Sequence, residues 1–359
     1  MMYEYWFAAV AGVSDRKKRL LREEYGEGKA VYYIEEMRLR MHQFLEDKEI
    51  EAILQARKGH DVEKEWRELE KKNIRFIPYF ADEYPKRLLQ IGDVPYALYV
   101  KGKLPAEDCL SIAIVGARKC TPYGEELALE YGECLAANGI QVISGMAKGI
   151  DGAGQRGALN SGGETYGVLG CGVDICYPRE HIGLYMDMQV KGGVLSEQPP
   201  GRPPLPVYFP MRNRIISGLS DVILVMEARE RSGSLITADL ALEQGKDVYA
   251  LPGPVTSRLS QGCHGLLRQG AGILISPQDL LEELGVGSQQ TEQKSDKIKK
   301  VLENHENVVY SCLGLFPKGI CDLTEETGLR VQELMDCLIT LEIKGYIREI
   351  SKNHYIKVR

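Results

Sequence analysis

The chain has 359 residues, of which 44% are hydrophobic and 27% are charged, and this suits an ordinary globular protein of two or three domains. A formal net charge of −6 excludes a uniformly basic nucleic-acid binder, but it allows a local basic groove. No apolar run has membrane-spanning length, and we see no signal-peptide pattern at the N-terminus, so we expect a cytoplasmic protein without membrane contact.

Residues 1–72 show helical periodicity and form the first predicted domain. Ser14 or Asp15 is placed to cap a helix over residues 16–25. We expect the basic cluster at 16–19 to be a solvated helix face, with DNA contact as the alternative. The arrangement loosely resembles a helix-hairpin-helix or SAM-like module. Residues 73–110 contain extended pieces and several turn-forming prolines, and they predict a connector packed on the next domain.

Residues 111–284 alternate short apolar runs with helical segments. This pattern predicts an α/β domain with a Rossmann-like, doubly wound, mostly parallel sheet. The main predicted strands are residues 112–115, 140–143, 165–169, 193–196, 222–226 and 271–275. The helices predicted with explicit bounds are residues 125–138, 179–190 and 277–284, and a Ser-Gly-Ser turn at 232–234 leads into another.

The C-terminal part reads as a polar linker, residues 285–295, followed by a winged-helix domain, residues 296–359. Three helices are predicted at 296–303, 319–327 and 331–344, with two wing strands at 346–350 and 354–358. The third helix carries Glu333, Asp336 and Glu342. This acidity argues against reading of a DNA major groove and predicts a protein-facing or dispensable role.

Familiar enzyme and cofactor motifs are missing from the loops. The loop GARKCTPYG after the first central strand does not match the glycine spacing of a dinucleotide site, and there is no Walker A lysine motif. No G-x-S-x-G elbow stands in a strand–turn–helix context. Nine dispersed cysteines and six separated histidines predict reduced thiols and no metal site. We therefore expect no cofactor, no metal and no catalytic residue.

Several loops at strand ends instead carry glycines and a cation. Because parallel strands end at one edge of a sheet, we expect these cations to converge there. They are Arg118, Lys148, Arg179, Arg212, Arg214 and Arg231. Glycine loops and helix N-termini suit a phosphate, whether of a nucleotide or of a polymer. Aromatic residues near these loops favour a single-stranded nucleic acid, because they can stack on bases; they are Tyr123, Tyr177, Tyr185 and Phe209.

A structural role for some of these cations is the alternative. Arg212 and Arg214 are two positions apart, so on a helix they point about 200° from each other. Both cannot contact one phosphate, and one of them is expected to pair with Asp221 or Glu227. Lys148 is followed by Asp151, which would partly neutralise it.

The motifs in this domain occur in a recognisable order. They are Gly116-Ala-Arg118, Tyr123-Gly124, Ser144-Gly-Met-Ala-Lys148-Gly-Ile-Asp151, Tyr177-Pro178, Ser196-Glu197, Phe209-Pro-Met-Arg212-Asn-Arg214-Ile-Ile, Glu227-Ala and Ser232-Gly-Ser-Leu-Ile-Thr237-Ala. Over residues 73–284 the chain closely resembles the DNA-processing protein A family, also called DprA or Smf. The two flanking domains match the family's usual accessory domains more loosely.

The resemblance implies a cytoplasmic, non-catalytic protein that binds and protects single-stranded DNA in natural transformation or recombination. It also implies loading of the RecA recombinase and a homodimer formed through the Rossmann-like domain. Arg118, Lys148 and Arg179 match the family's basic DNA pocket. The remaining residues of the implied DNA site are Arg212, Asn213 and Arg214, with Ser144 and Gly145 as backbone contacts, and Gly116.

Three positions depart from the family pattern. Gly154-Gln155 replaces an Ala-His pair, His181 replaces an Asn, and Gly262-Cys263-His264 replaces Gly-Thr-Asn. An enzymatic alternative is a nucleotide-monophosphate phosphoribohydrolase on a related Rossmann-like sheet. Its P-G-G-x-G-T-x-x-E signature is absent from the loop at 231–237, which lacks both the paired glycines and the glutamate. A third alternative is a transcription regulator built on the winged helix.

Overall fold

The computed structural model describes residues 1–59, 61–286, 304–314 and 317–357. Its main feature is a nine-stranded sheet. The strands are β1 (Arg75–Pro78), β2 (Ala97–Gly102), β3 (Ser111–Val115), β4 (Gln141–Ser144), β5 (Thr165–Val168), β6 (Gly192–Ser196), β7 (Val222–Val225), β8 (Asp247–Ala250) and β9 (Gly272–Ile273). Their order is β1-β2-β6-β5-β4-β3-β7-β8-β9. The β1–β2 and β2–β6 pairs are antiparallel, and the other six pairs are parallel, so the prediction of a mostly parallel sheet is confirmed.

Helices cover both faces of this sheet because its central strands are apolar on both sides. In β3, Ile112 and Ile114 belong to one buried cluster, whereas Ala113 and Val115 belong to another. A strand buried on two faces reads as a continuous apolar run, which is how this one was recognised. The helices are α7 (Pro122–Ala137), α8 (Ile150–Asn160), α9 (Ile182–Lys191), α10 (Tyr208–Leu219), α11 (Gly233–Glu243), α12 (Gln261–Arg268) and α13 (Pro277–Glu283).

The strand order places a switch point between β3 and β7. From β3 the chain moves outwards through β4, β5 and β6, and it then returns to β7 on the other side of β3. In open α/β sheets such a reversal leaves a crevice at the carboxyl ends of the strands. The loops after β3 and β7 therefore border a natural binding position.

Some predicted bounds needed correction. The helix expected from residue 125 begins at Pro122, because the Thr121 hydroxyl accepts a hydrogen bond from the Gly124 amide and proline suits the first helical turn. The helix expected over 179–190 divides into a 3₁₀ turn, Arg179–His181, and α9. Helix α12 was not predicted.

Among the described residues, six helices precede the sheet, and their core includes side chains from β1 and β2. They are α1 (Met2–Ala9), α2 (Asp15–Tyr25), α3 (Gly28–Tyr33), α4 (Glu36–Arg40), α5 (Asp47–Gly59) and α6 (Val62–Lys71). Trp6 and Phe7 from α1 are buried in one cluster with Tyr99 of β2. The segment predicted as a connector thus supplies two strands of the sheet and a surface for the helices.

The basic cluster of α2 is less solvated than expected. Lys18 is buried, and its Nζ donates to the carbonyl of Ala8 at 2.7 Å. Arg19 lies over the ring of Tyr79, at 5.9 Å from its centroid. The expectation of a solvated face is therefore wrong for Lys18, because the helix packs this side against α1.

The C-terminal part contains α14 (Asn304–Cys312), β10 (Lys318–Gly319), α15 (Ile320–Thr327), α16 (Val331–Ile343), β11 (Ile347–Ser351) and β12 (His354–Lys357). The strands form an antiparallel sheet in the order β10-β12-β11. Leu334, Leu338 and Leu341 are buried along one face of α16, as their spacing predicts. The helix predicted at 296–303 and most of the predicted linker lie outside the described residues. In the part of the chain that is described, no helix is long and apolar enough to cross a membrane.

Candidate nucleic-acid interface

A cleft of about 520 Å³ lies at the switch point. We call it the switch-point cleft. It is bordered by the loop after β3, the loop after β4, the start of α10 and the turn that begins α11. A smaller recess of about 70 Å³ shares Arg118, Tyr177, Phe209 and Arg212 with the cleft. The predicted convergence of loop cations at one sheet edge is confirmed for Arg118, Arg212 and Arg231, which all line the cleft.

Arg118 is an exposed cation at this position. Its side chain is exposed, and its guanidinium carbon lies 5.2 Å from the centroid of the Phe209 ring. Tyr177 lies against the same Phe209, with ring centroids 5.6 Å apart and ring planes 33° apart. No carboxylate of the described residues forms an ion pair with Arg118. A cation beside two accessible aromatic rings is the arrangement that suits a phosphate and an unpaired base.

Arg212 lies deeper, at the base of the cleft. Its Nη1 donates to the carbonyl of Gly145 at 2.7 Å and also to that of Val168, and its Nε donates to Asn213 Oδ1 at 3.2 Å. Burial lowers the pKa of Arg212 to about 10; the Asp151 carboxylate opposes this change, and the neighbouring Arg118 adds to it. The Arg118 and Arg212 cations repel each other. An anion that entered the cleft beside them would be stabilised by both.

The loop after β4 carries its own anion. Asp151, in the first turn of α8, accepts hydrogen bonds from the amides of Ala147, Gly145 and Gly116. Burial raises the pKa of this carboxyl, while Arg212 and the three amides favour its ionised form. The glycine-rich loop therefore cradles a protein carboxylate where the sequence suggested an external phosphate.

This arrangement corrects the predicted backbone contact of Gly145 and revises that of Gly116, whereas the backbone contact of Ser144 stays a prediction. The Gly145 amide and carbonyl are occupied by Asp151 and Arg212, so they are not free for DNA. Ser144 is fully buried, and its hydroxyl donates to the carbonyl of Ile114 at 2.6 Å. Gly116 lines the cleft, but its amide bonds to Asp151. Its lack of a side chain has a separate reason, since a Cβ here would lie 2.7 Å from Ile150.

Arg214 points away from the cleft. It forms a two-fold ion pair with Glu197, from Nη1 to Oε1 at 3.0 Å and from Nη2 to Oε2 at 2.5 Å, and its Nε lies 3.2 Å from Asp93 Oδ2. Its predicted place in a DNA site is corrected to a structural one. The predicted partners were also wrong. Asp221 pairs with Arg87, and Glu227 accepts hydrogen bonds from Thr121, which joins the loops after β7 and β3.

The remaining predicted residues differ in their availability. Lys148 is exposed and pairs with Glu180, at 2.6 Å between Nζ and Oε2, rather than with Asp151. Arg179 is exposed in the 3₁₀ turn before α9, outside the lining of the cleft. Asn213 lines the cleft, and its Nδ2 donates to the carbonyl of Gly233 at 3.2 Å.

Two of the four aromatic candidates are unavailable for stacking. Tyr185 is buried, with its hydroxyl bonded to the carbonyl of Val173 at 2.6 Å. The Tyr123 hydroxyl donates to the carbonyl of Pro252 at 3.0 Å, and this ring lies outside the cleft lining. Tyr177 and Phe209 remain as the stacking surface.

The turn that begins α11 is a part of the cleft that no predicted site residue covered. Arg231, Ser232, Gly233, Ser234 and Thr237 all line it. Arg231 was noted among the loop cations, but the neighbouring hydroxyls gave no signal beyond the Ser-Gly-Ser turn itself.

The chain is similar to known proteins over its central domain and beyond it. The family model for DNA recombination-mediator protein A matches residues 75–285. The chain belongs to this family. It is 38% identical over 307 residues to Protein Smf of Escherichia coli, a match that covers 81% of this chain and 79% of the relative. It is 42% identical over 215 residues to the DNA processing protein DprA of Streptococcus pneumoniae, covering 59% of this chain and 76% of that protein.

Two solved DprA structures share the fold. The structure of Streptococcus pneumoniae DprA superposes with a TM-score of 0.68 at 34% identity, covering 79% of this chain and 98% of that one. Helicobacter pylori DprA, whose single-stranded DNA binding mode has been described as unique, gives a TM-score of 0.54 at 30% identity and covers 59% of this chain and 95% of that one.

The departures of this DprA-family member from the family pattern lie in packed positions. Gln155 is fully buried, and its Nε2 donates to the carbonyl of Tyr166 at 3.0 Å. His181 Nδ1 lies 3.1 Å from the carbonyl of Met146, and His264 Nε2 lies 3.0 Å from that of Gly253. None of these three side chains lines the switch-point cleft, so the cleft keeps its cations and aromatic rings.

Proposed function

We propose that this protein binds single-stranded DNA without sequence preference, through the switch-point cleft. The observation that carries the proposal is the combination of exposed Arg118, partly stacked on Phe209, with the accessible ring of Tyr177 beside it. Unpaired bases offer a π face to such rings, whereas a duplex hides it. The described binding mode of the Helicobacter pylori relative supports the same ligand.

A binding role without a catalytic step is part of the proposal. The carboxylate that lines the cleft is Asp151, and three amides and Arg212 already hold it. A general acid or base needs a free path to the reacting group. The phosphoribohydrolase alternative is not favoured, because the turn at 231–237 lacks the glutamate which that chemistry requires. Release of free base from a nucleotide monophosphate by the purified protein would argue for the alternative.

The direct experiment compares single- and double-stranded oligonucleotides of the same sequence by fluorescence anisotropy. We expect preferential binding to the single strand and at least about a tenfold loss for Arg118→Glu, since a charge-assisted hydrogen bond contributes about 1.5–3 kcal/mol. Arg67→Glu is the matched control, because Arg67 is an exposed arginine on α6 outside the cleft. Equal binding of both DNA forms, or equal losses in the two variants, would contradict the proposal.

In the cell we propose a cytoplasmic role in DNA processing, with loading of RecA onto the bound strand and a homodimer formed through the Rossmann-like domain. All nine cysteines are free thiols, as suits a reducing compartment. Exposed apolar side chains on α11 and the edge strand β9 offer a surface for a second copy: Leu242 is 52% exposed and Ile273 is 46% exposed. Light scattering of Leu242→Glu should then show a smaller mass than the wild type. An unchanged mass would exclude this surface as the dimer interface. RecA filament growth that is the same with and without the protein would exclude the loading role.

We further propose that the flanking parts are accessory modules, a SAM-like helical domain before the sheet and a winged helix after it. The face of α16 supports a protein partner for the latter, because Ile339 and Ile343 are 50% and 82% exposed beside the acidic residues. Tight binding of the full chain to one specific duplex would instead favour a transcription regulator.

A further inference from the structure

The N-terminus of α11 presents uncompensated positive charge to the switch-point cleft. Helix N-termini carry a partial positive charge that proteins usually offset with an acidic residue in the first turn. Helix α8 has Asp151 in this role, whereas the first turn of α11 contains no acidic residue. Arg231 precedes the turn and adds a full positive charge, and it forms no ion pair with the described residues.

A side-chain hydroxyl in the same wall also lacks a protein partner among the described residues. Thr237 is 2% exposed and lines the cleft, and its hydroxyl makes no hydrogen bond to the residues that the structure describes. Helical threonines usually bond back to the carbonyl four residues earlier. Thr324, Thr327 and Thr340 do so at 2.7, 2.6 and 2.8 Å.

The neighbouring groups explain why the Thr237 hydroxyl has no hydrogen-bond partner in the described chain. Four residues before it is Gly233, whose carbonyl accepts the hydrogen bond from Asn213 Nδ2 instead. In addition, the Ser232 and Ser234 hydroxyls lie 2.8 Å apart and bond to each other. Only one proton is used between two hydroxyl oxygens, so the pair keeps one donor. These donors and the Arg231 cation line the same cleft.

We propose that the start of α11 is a phosphate subsite of the DNA cleft, separate from the contact at Arg118. It rests on the proposed function, because the ligand is a phosphate of the nucleic-acid strand that the cleft binds. Arg231 supplies charge, and the Thr237 hydroxyl and the serine pair supply hydrogen bonds. A phosphate group fits better than a carboxylate because its oxygens point in several directions and can meet all of these donors. The DNA strand would thus be held at two points, at Arg118 and at the start of α11. The rings of Tyr177 and Phe209 would lie between the cleft and the solvent.

The decisive variant is Thr237→Val, which removes the hydroxyl and keeps the branched shape. We expect oligo-dT affinity to fall by about two- to tenfold, the range for one hydrogen bond of about 0.5–1.5 kcal/mol. Thr237→Ser keeps the hydroxyl and should bind like the wild type. The urea midpoint of Thr237→Val should equal or exceed that of the wild type, because the hydroxyl has no structural partner to lose. A lower midpoint together with unchanged DNA affinity would assign Thr237 to packing and overturn the subsite.

Arg231→Ala gives an independent readout. Removing one phosphate contact should reduce the slope of log affinity against log salt by about 0.7, the value for single strands. Each variant is measured on oligo-dT with a 5′-phosphate and with a 5′-hydroxyl. A loss on both strands identifies an internal phosphate, and a loss only on the phosphorylated strand identifies a terminal one; each result supports the subsite. Wild-type affinity in both variants, while Arg118→Glu still impairs binding, would overturn the subsite alone. Failure of the wild type to bind any oligo-dT would instead refute the proposed function.

Discussion

Replacement of Arg214 by methionine should destabilise the fold while leaving the DNA cleft intact. Arg214 is bound to both oxygens of Glu197 and also donates to the carbonyls of Asp93 and Met211, each at 2.8 Å. Methionine keeps an unbranched apolar stem but removes the guanidinium, and it leaves the Glu197 side chain, which is 6% exposed, without its cation. Breaking a buried pair by removing one partner costs about 3–5 kcal/mol.

The loss of stability in Arg214→Met should depend on pH, because the unpaired Glu197 carboxylate can take up a proton. Burial raises the pKa of Glu197, and Arg214 opposes that rise, so its removal raises the pKa further. Starting from an ordinary glutamate pKa of about 4.3, protonation costs about 3.7 kcal/mol at pH 7 and about 1 kcal/mol at pH 5. The folded-state pKa lies above the unfolded one, so the stability of the variant falls as pH rises through this window. We therefore expect the destabilisation to be up to about 3 kcal/mol smaller at pH 5 than at pH 7.

Urea denaturation at the two pH values measures this difference, and Arg214→Met combined with Glu197→Leu is the control. The double variant buries no unpaired charge and should recover most of the lost stability. A loss below about 1 kcal/mol at pH 7, accompanied by a clear drop in oligo-dT affinity, would refute the structural assignment and return Arg214 to the DNA site.

Three further predictions concern single side chains. Glu180→Gln should raise single-stranded DNA affinity by less than about fivefold, because it frees Lys148 from an exposed ion pair of at most about 1 kcal/mol; weaker binding by anisotropy would show that Glu180 positions the lysine. Gly145→Ala should lower the urea midpoint, since its Cβ would lie 2.5 Å from the Arg212 guanidinium nitrogens; an unchanged midpoint would mean that Arg212 moves freely. Cys321, which is exposed, should react with a thiol reagent before unfolding, whereas Cys263 should not, because burial raises its pKa to about 12; rapid labelling of Cys263 would contradict its burial.

Much of the central fold follows from local pattern. Strands such as β3 and β7 are buried on both faces and read as short apolar runs, and Gly116 marks the end of β3. Helix α12 was missed because four of its eight residues are glycine, glutamine or histidine and its apolar face is short. Its place is set by packing on β8, which the local sequence does not reveal.

At the site, the spacing of residues in the sequence predicts the direction of two side chains but not their partners. The two-residue offset correctly predicted that Arg212 and Arg214 diverge, and the structure directs one to Gly145 and the other to Glu197. It could not identify Glu197, because that contact depends on how β6 and α10 meet in space.

The glycine loop after β4 gives a second example. Its pattern predicts an anion held by backbone amides, and such an anion is present, but Asp151 of the same chain supplies it. At the start of α11 the described residues supply no such group. The N-termini of α8 and α11 therefore differ in the side chains that reach them. Asp151 occupies the anion position at α8, whereas the position at α11 is open to a ligand.

The salt dependence of oligo-dT binding tests the central claim most directly. If the switch-point cleft holds the strand by its phosphates, log affinity should fall linearly with log salt concentration, with a slope of about −0.7 for each phosphate neutralised. Arg118→Glu should make this slope shallower, and Arg67→Glu should leave it unchanged. A flat plot for the wild type, or the same slope in wild type and Arg118→Glu, would contradict a phosphate-binding cleft at this position.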